Sequence, residues 1–205
     1  AGRELAERCV ARGLEREARA VFVDRPMNPE SESNWWGMTL RFLADRYSSA
    51  RFVGHIDADS FFITPVTEAS LFDARGRPRM DGILDRGVEA NWFWQNSSLA
   101  TEFVLGKKQV ARFMSSFPII VHSSHLKKLR QYILMRFSPS PETEEFEDAF
   151  LRAMQHWQNS WIEFSIIGNY LLYFHEANYA WTLQHPQPWR ASSEPLWLSV
   201  AQHAG

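Results

Sequence analysis

The sequence has few of the features that mark disulfide-rich, membrane-spanning or nucleic-acid-binding proteins. Its one cysteine, Cys9, cannot support an internal disulfide framework. No run approaches the roughly 20 consecutive apolar residues of a membrane-spanning helix, and residues 1–19 alternate charged and small residues where a signal peptide would have an apolar core. The net charge is −2 and the basic residues are scattered, which argues against nucleic acid as a partner. We therefore expect a soluble domain without a membrane span, in the cytoplasm or the Golgi lumen.

The chain does have enough apolar surface for one hydrophobic core. Its 205 residues, 45% of them apolar, fit a single domain over residues 1–205. Strand and helix patterns alternate, which favours an α/β fold with a mainly parallel central sheet flanked by helices. Such nucleotide-binding folds usually begin with a strand, whereas residues 1–19 have a helical pattern. We therefore expect the first strand, which ordinarily forms part of the nucleotide pocket, to be missing from the chain.

Hydrophobic periodicity and turn residues predict the individual elements. Helices are predicted over residues 34–47, 109–114, 124–137, 141–157 and 163–174. Strands are predicted over residues 20–23, 51–56, 61–63, 117–122 and 179–183, and further strands within 81–95.

The acidic triplet Asp57-Ala58-Asp59 directly follows the predicted strand 51–56. Ligands of open α/β sheets bind beyond the carboxyl ends of the strands. Two carboxylates one residue apart can face one hard cation such as Mg²⁺ or Mn²⁺, and this cation can neutralise a diphosphate leaving group. The triplet therefore indicates a metal and diphosphate site, and the alternative is a pair of aspartates that caps a surface turn.

Several segments together resemble a known family. The segment His55 to Phe62, with Asn34-Trp35-Trp36 and Arg41-Phe42-Leu43 upstream, resembles the D-x-D region of GT-A-fold (Rossmann-type) glycosyltransferases. It is most similar to a glycosyltransferase-like family with algal, bacterial and giant-virus members. The resemblance spans about residues 20–175, and its further segments are Leu105-Gly106, Phe113-Met114, Phe117 to Ile120, Leu126 to Ile133, Glu163-Phe164 and Gly168 to Tyr170.

The resemblance implies a GT-A-like domain that transfers a sugar from a nucleotide-diphosphate donor, a UDP- or GDP-sugar, to a hydroxyl of a glycan or another acceptor. It implies Mn²⁺ or Mg²⁺ as the cofactor. By the same resemblance, Asp59 ligates the metal directly, and Asp57 contacts it through water or contacts the ribose. A histidine near the C-terminal end often completes such a site, and His185 is the best-placed candidate.

Glu163 is the candidate catalytic base, because it is an isolated carboxylate in the apolar stretch Trp161 to Phe164. A base that deprotonates the acceptor hydroxyl fits an inverting reaction, which we favour. The alternatives are a helix-capping or salt-bridge role for Glu163 and, in the absence of a base, a retaining reaction. Residues that could line the acceptor side are Trp92, Trp94, His122 and Lys107.

Two other functions compete with this interpretation. A phosphotransferase of the haloacid-dehalogenase type also uses Asp-x-Asp after an apolar strand, with the first aspartate as nucleophile. It needs a later acidic pair, but after Asp85 the only aspartate is Asp148, inside a predicted helix. The second alternative is a catalytically inactive, transferase-like carbohydrate-binding domain, with which the nine tryptophans are compatible because aromatic rings stack on sugars.

Overall fold

The computed structural model describes residues 33–57, 60–85, 92–114, 117–155, 163–185 and 197–199. Internal contacts divide the chain into two units, residues 1–33 and 34–205. Apart from Ser33, the first unit lies outside the described residues. The predicted helix over residues 1–19, the predicted strand 20–23 and Cys9 are therefore not described further.

The described ranges contain both helices and strands, so the broad prediction of an α/β fold is confirmed. The helices are α1 (Ser33–Phe42), α2 (Glu68–Leu71), α3 (Trp92–Leu105), α4 (Ser123–Phe137), α5 (Phe146–Met154) and α6 (Glu163–His175), with 3-10 turns at Ala44–Arg46 and Glu176–Asn178. The strands are β1 (Phe52–His55), β2 (Ser60–Phe62), β3 (Arg79–Leu84), β4 (Ala111–Arg112), β5 (Ile119–His122), β6 (Ala180–Gln184) and β7 (Trp197–Ser199).

The strands form three small sheets within the described ranges. Strand β1 is antiparallel to β5, β2 is antiparallel to β7, and β3 lies between an antiparallel β4 and a parallel β6. Only the β3–β6 pair therefore meets the prediction of a mainly parallel sheet. Alternation of strands and helices along a sequence does not fix strand direction, because a connection that contains a helix can return the chain in either direction.

Two predicted elements were wrong. Residues 109–114 do not form a helix, because the buried Asn169 binds this segment through its side chain: Oδ1 accepts hydrogen bonds from the amides of Val110 (2.7 Å) and Ala111 (3.3 Å), and Nδ2 donates to the Ala111 carbonyl (2.7 Å). The aromatic residues 92–94 begin α3 and do not form a strand. The helical period is visible further along, where Ser97, Thr101 and Val104 are buried on one face.

The hydrophobic core is centred on α6, whose residues Glu163 to Leu171 are all buried. At Gly168 the helix meets the ring of Phe113 so closely that a Cβ would lie 2.1 Å from Phe113 Cδ2. On the other side of the core, the ring of Phe42 at the end of α1 packs 4.9 Å from the ring of Phe150 on α5. The core thereby fixes the ends of α1 and α6, which carry the polar residues described next. Among the described residues, every helix is too short or too polar to span a lipid bilayer.

Candidate functional site

Asp57 lies just beyond the C-terminal end of β1, as the sequence predicts. Its Oδ1 accepts a hydrogen bond of 2.8 Å from Nη2 of Arg41, which lies in the last turn of α1. The end of a helix favours a cation, because the last carbonyl groups carry partial negative charge. The guanidinium of Arg41 therefore fixes the first carboxylate of the acidic triplet.

The same guanidinium also binds Glu163, the first residue of α6. Nη1 of Arg41 donates a hydrogen bond to Glu163 Oε1, and the side chain of Glu163 is almost completely buried. A buried carboxylate needs an ionic or hydrogen-bonding partner to offset its desolvation. This contact is the salt bridge that the sequence left as an alternative to a catalytic role. Arg41 thereby connects Asp57 to Glu163.

The rings of His55 and Phe164 lie beside the ion pairs of Arg41. His55, the last residue of β1, is 6% exposed, and its ring lies edge-on to that of Phe164 with 6.1 Å between centroids. The Cζ atom of Arg41 lies 4.8 Å from the centroid of Phe164. Burial and, to a smaller extent, the charge of Arg41 lower the pKa of His55 to about 4, so that the ring is neutral at pH 7. Its Nε2 is buried and has no hydrogen-bond partner in the described part of the chain. A buried nitrogen of this kind calls for an explanation, and a hydrogen bond to a bound ligand would provide one.

The other predicted metal ligands are only partly described. Asp59 lies outside the described residues. His185 is exposed and directly follows β6, and Asp85 directly follows the neighbouring strand β3. Because β3 and β6 are parallel, both residues leave the same edge of the sheet. Across the described ranges, no group of three or more histidine, cysteine, aspartate or glutamate residues is arranged to hold a metal ion.

Among the predicted acceptor residues, His122 lies away from Asp57 in the structure. His122 pairs with Phe52 at the start of β1, whereas Asp57 follows its end, so that about five residues of extended chain, roughly 16 Å, separate the two positions. The ring of Trp94 lies against Arg112, with 4.7 Å between its centroid and Cζ. Lys107 lies over the rings of Tyr173 and Phe174. For Trp92, the structure describes the backbone at the start of α3 and not the side chain.

His122 belongs instead to a cluster of three imidazoles. The rings of His125 and His175 stack with 3.7 Å between centroids, and His122 lies 5.1 Å from His125. The hydroxyl of Tyr179 accepts a hydrogen bond from the His122 amide at 3.1 Å and lies 2.8 Å from Nδ1 of His125. Burial is the main cause that lowers the pKa of each histidine. Nearby cations lower it further, Arg51 and Lys128 for His122 and Lys128 for the other two, and neighbouring imidazoles contribute for His125 and His175; the pKa of His125 falls to about 4. The cluster is therefore neutral at pH 7.

Sequence reasoning missed Arg41 and His55 as functional candidates. Both lie in segments that carry the resemblance, but the sequence pattern alone assigns neither of them a role. The available signals were a basic residue beside the apolar pair Phe42-Leu43 and a histidine at the end of an apolar strand. Buried polar residues next to an acidic motif are candidates for that site.

Comparisons with known proteins found no match for this chain, either among family models, among curated proteins or among solved structures. The functional interpretation therefore depends on the residues of the site and on the arrangement of their side chains.

Proposed function

We propose that the chain is a metal-dependent glycosyltransferase that moves a sugar from a nucleotide-diphosphate donor to a hydroxyl acceptor with inversion. The mixed α/β architecture and the acidic triplet after β1 are compatible with a GT-A-like fold. In this proposal Asp59 ligates Mn²⁺ or Mg²⁺, Asp57 supports it, and His185 is a further candidate ligand. The oxygen donors of the two aspartates are the type that these hard cations prefer.

The observation that carries the proposal is the bridge from Asp57 through Arg41 to Glu163. A site for a metal and a diphosphate needs carboxylates in a fixed orientation beside a strand end. Arg41 provides that orientation for Asp57, since its own position is fixed by α1 and by the ring of Phe164. When bound, the metal would neutralise the negative charge that develops on the diphosphate leaving group.

Glu163 is the proposed general base. A base must be in its carboxylate form, and the ion pair with Arg41 stabilises that form. To take the proton of the acceptor hydroxyl, Glu163 would exchange its contact with Arg41 for a hydrogen bond to the acceptor.

Isothermal titration of UDP and GDP with and without Mn²⁺ tests the binding part of the proposal. We expect nucleotide binding that requires Mn²⁺ and that Asp59→Ala abolishes. The control is Asp148→Ala, which removes an exposed aspartate on α5 and should leave binding unchanged. Glycan binding that is indifferent to metal and nucleotide would favour the carbohydrate-binding alternative. Mg²⁺-dependent hydrolysis of a phosphate monoester that Asp57→Asn abolishes would favour the phosphotransferase.

Hydrolysis or transfer of UDP- and GDP-sugars tests the role of Glu163. We expect Glu163→Gln to lower kcat by about 100-fold or more without weakening the binding of nucleotide and Mn²⁺. Loss of binding together with turnover would mean that Glu163 only supports the structure. Nuclear magnetic resonance of the product's anomeric proton would show whether the reaction inverts or retains.

A further inference from the structure

The C-terminal parts of α3, α4 and α6 together expose large apolar side chains. Leu99 and Phe103 on α3 are 52% and 41% exposed, Met135 on α4 is 78% exposed, and Phe174 on α6 is 41% exposed. Of these, Phe103 and Phe174, together with the exposed Tyr173, belong to a set of contacting rings that we call the aromatic patch. Exposed apolar side chains that cluster in this way mark an interaction surface more often than scattered ones do.

Ring contacts show that the patch is continuous from α3 to α6. Phe103 packs against Phe137 of α4, with 5.1 Å between centroids, and Tyr132 of α4 packs against Phe174 at 5.2 Å. Arg136 joins these pairs, because its Nη2 donates a hydrogen bond of 3.2 Å to the Phe103 carbonyl. Its Cζ also lies 5.5 Å from the centroid of Phe137 and 6.0 Å from that of Tyr132.

Cations border the patch. Nζ of Lys107 lies 5.2 Å from the ring centroid of Tyr173 and 5.7 Å from that of Phe174. The hydroxyl of Tyr173 donates a hydrogen bond of 2.7 Å to the carbonyl of Lys108. These cation–π contacts and this hydrogen bond hold the exposed residues Lys107 and Lys108 beside the exposed rings.

Gly106 allows Lys107 and Arg136 to lie beside the rings of the patch. It ends α3 with a φ of 62°, and a Cβ at this position would lie 2.4 Å from Nη1 of Arg136. The left-handed conformation is one that glycine adopts without strain. The glycine therefore turns the chain toward Lys107 and leaves space for the guanidinium.

We propose that the aromatic patch docks on an anionic lipid surface. Its three contributing segments, residues 99–108, 132–137 and 170–175, contain Lys107, Lys108 and Arg136 but only one carboxylate, Glu102. Glu102 accepts a hydrogen bond from the amide of Gln109. Exposed aromatic and aliphatic side chains bordered by cations suit the boundary between acyl chains and anionic headgroups.

Other occupants fit the patch less well. A two-fold dimer through this surface would bring the same cations of both copies together. A bound peptide usually needs a groove, but a cavity of about 420 Å³ in the described ranges is lined by other residues, among them Asp45, Lys127 and Phe146. No residue of the patch lines that cavity. A lipid surface, in contrast, requires protruding side chains and no groove.

Sedimentation with vesicles tests the proposal. The vesicles contain phosphatidylcholine alone or with about 30% phosphatidylserine, and binding is measured at about 0.1 M and about 0.5 M NaCl. We expect at least about tenfold stronger binding to the anionic vesicles, reduced by salt. Lys107→Glu with Lys108→Glu, and separately Phe103→Ser with Phe174→Ser, should each reduce this binding by about tenfold or more.

Matched variants outside the patch serve as controls. Lys127→Glu reverses an exposed charge on α4 at the cavity, and Ile63→Ser removes an apolar side chain, 46% exposed, that follows β2. Both should bind the anionic vesicles like the unmodified chain. Circular dichroism and thermal unfolding verify that each variant is folded.

Two outcomes would overturn the proposal. The first is equal binding to both kinds of vesicle, or equal effects of the patch variants and their controls. The second is a concentration-dependent dimer in analytical ultracentrifugation that the Phe103→Ser, Phe174→Ser variant abolishes, which would assign a second copy of the chain to the patch. Neither readout depends on transferase activity.

Discussion

Arg41 donates hydrogen bonds to two carboxylates, Asp57 and Glu163, that the chain brings together from distant segments. Removing it would leave Glu163 in the core without the cation that offsets its desolvation. We expect Arg41→Met to lower the free energy of unfolding by about 2–4 kcal/mol, less than for a fully buried pair because Arg41 is partly exposed. Urea unfolding at pH 7, followed by tryptophan fluorescence, measures this change.

Arg46 provides the matched control. It lies one turn beyond α1 and forms ion pairs with Glu145 and Glu147, but its side chain is 43% exposed, against 23% for Arg41. Ion pairs at such positions contribute little, so Arg46→Met should change the free energy of unfolding by no more than about 0.5 kcal/mol. Equal effects of the two substitutions would contradict a special role for Arg41.

His125 makes stability depend on pH. Its pKa is about 4 in the folded chain and about 6.5 when unfolded, so the unfolded state binds more protons between these values. Its contribution to stability is therefore present above about pH 6.5 and is lost as the pH falls toward 4. Between pH 7 and pH 5 we expect His125 to account for a loss of about 1–2 kcal/mol in the free energy of unfolding.

Replacing His125 isolates this contribution from those of the other histidines. The His125→Gln variant should lose about 1–2 kcal/mol less than the unmodified chain between pH 7 and pH 5, whatever its stability at pH 7. Urea unfolding at both pH values gives the two differences. An unchanged pH dependence would show that other groups determine the effect.

At the scale of elements, α6 is held by close packing at Gly168. A Cβ there would lie 2.1 Å from the ring of Phe113, so Gly168→Ala forces the ring or the helix to move. We expect a loss of about 1–3 kcal/mol in the free energy of unfolding. Gly37→Ala in α1 is the control, because no atom lies within 4 Å of the added Cβ and alanine favours a helix by about 0.5–1 kcal/mol.

Thermal unfolding of both variants measures the expected loss of stability for Gly168→Ala and the expected gain for Gly37→Ala. A loss at Gly37 as large as that at Gly168 would mean that packing at Phe113 does not determine the effect. The result also bears on the segment from Gly168 to Tyr170, one of those that carry the family resemblance. The structure gives two of its residues packing roles, since Gly168 contacts Phe113 and Asn169 binds β4.

At the scale of the whole molecule, the sequence predicts the elements better than it predicts their arrangement. Apolar periodicity identified α4, α5 and α6 and the strand before Asp57, because each pattern is local. It did not give the antiparallel direction of β1 and β5, since strand direction depends on how the chain returns between them. Nor did it identify β4, whose residue Ala111 is hydrogen-bonded through its backbone to Asn169 of α6, a contact that no local pattern contains.

For the candidate site, too, the sequence predicts the positions of single residues better than their contacts. The position of Asp57 follows from the apolar strand before it, and the burial of Glu163 follows from its apolar neighbours. The contact of each with Arg41 depends on where the end of α1 lies relative to β1 and α6, and it could not be predicted from spacing. The separation of His122 from Asp57 likewise depends on the register of β1 with β5.

The parallel pair of β3 and β6 has a consequence for the order of folding. It pairs Arg79 with Ala180, about 100 residues apart, so the strands meet only after a long loop closes. We expect Leu183→Ala in β6 mainly to accelerate unfolding, and Leu129→Ala in α4 also to slow folding. Stopped-flow refolding and unfolding in urea measure both rates, and slower folding of the β6 variant would mean that this pairing forms early. Because β6 is among the last described segments, a ribosome-bound chain carries β3 without its parallel neighbour until almost all of the described residues have been synthesised.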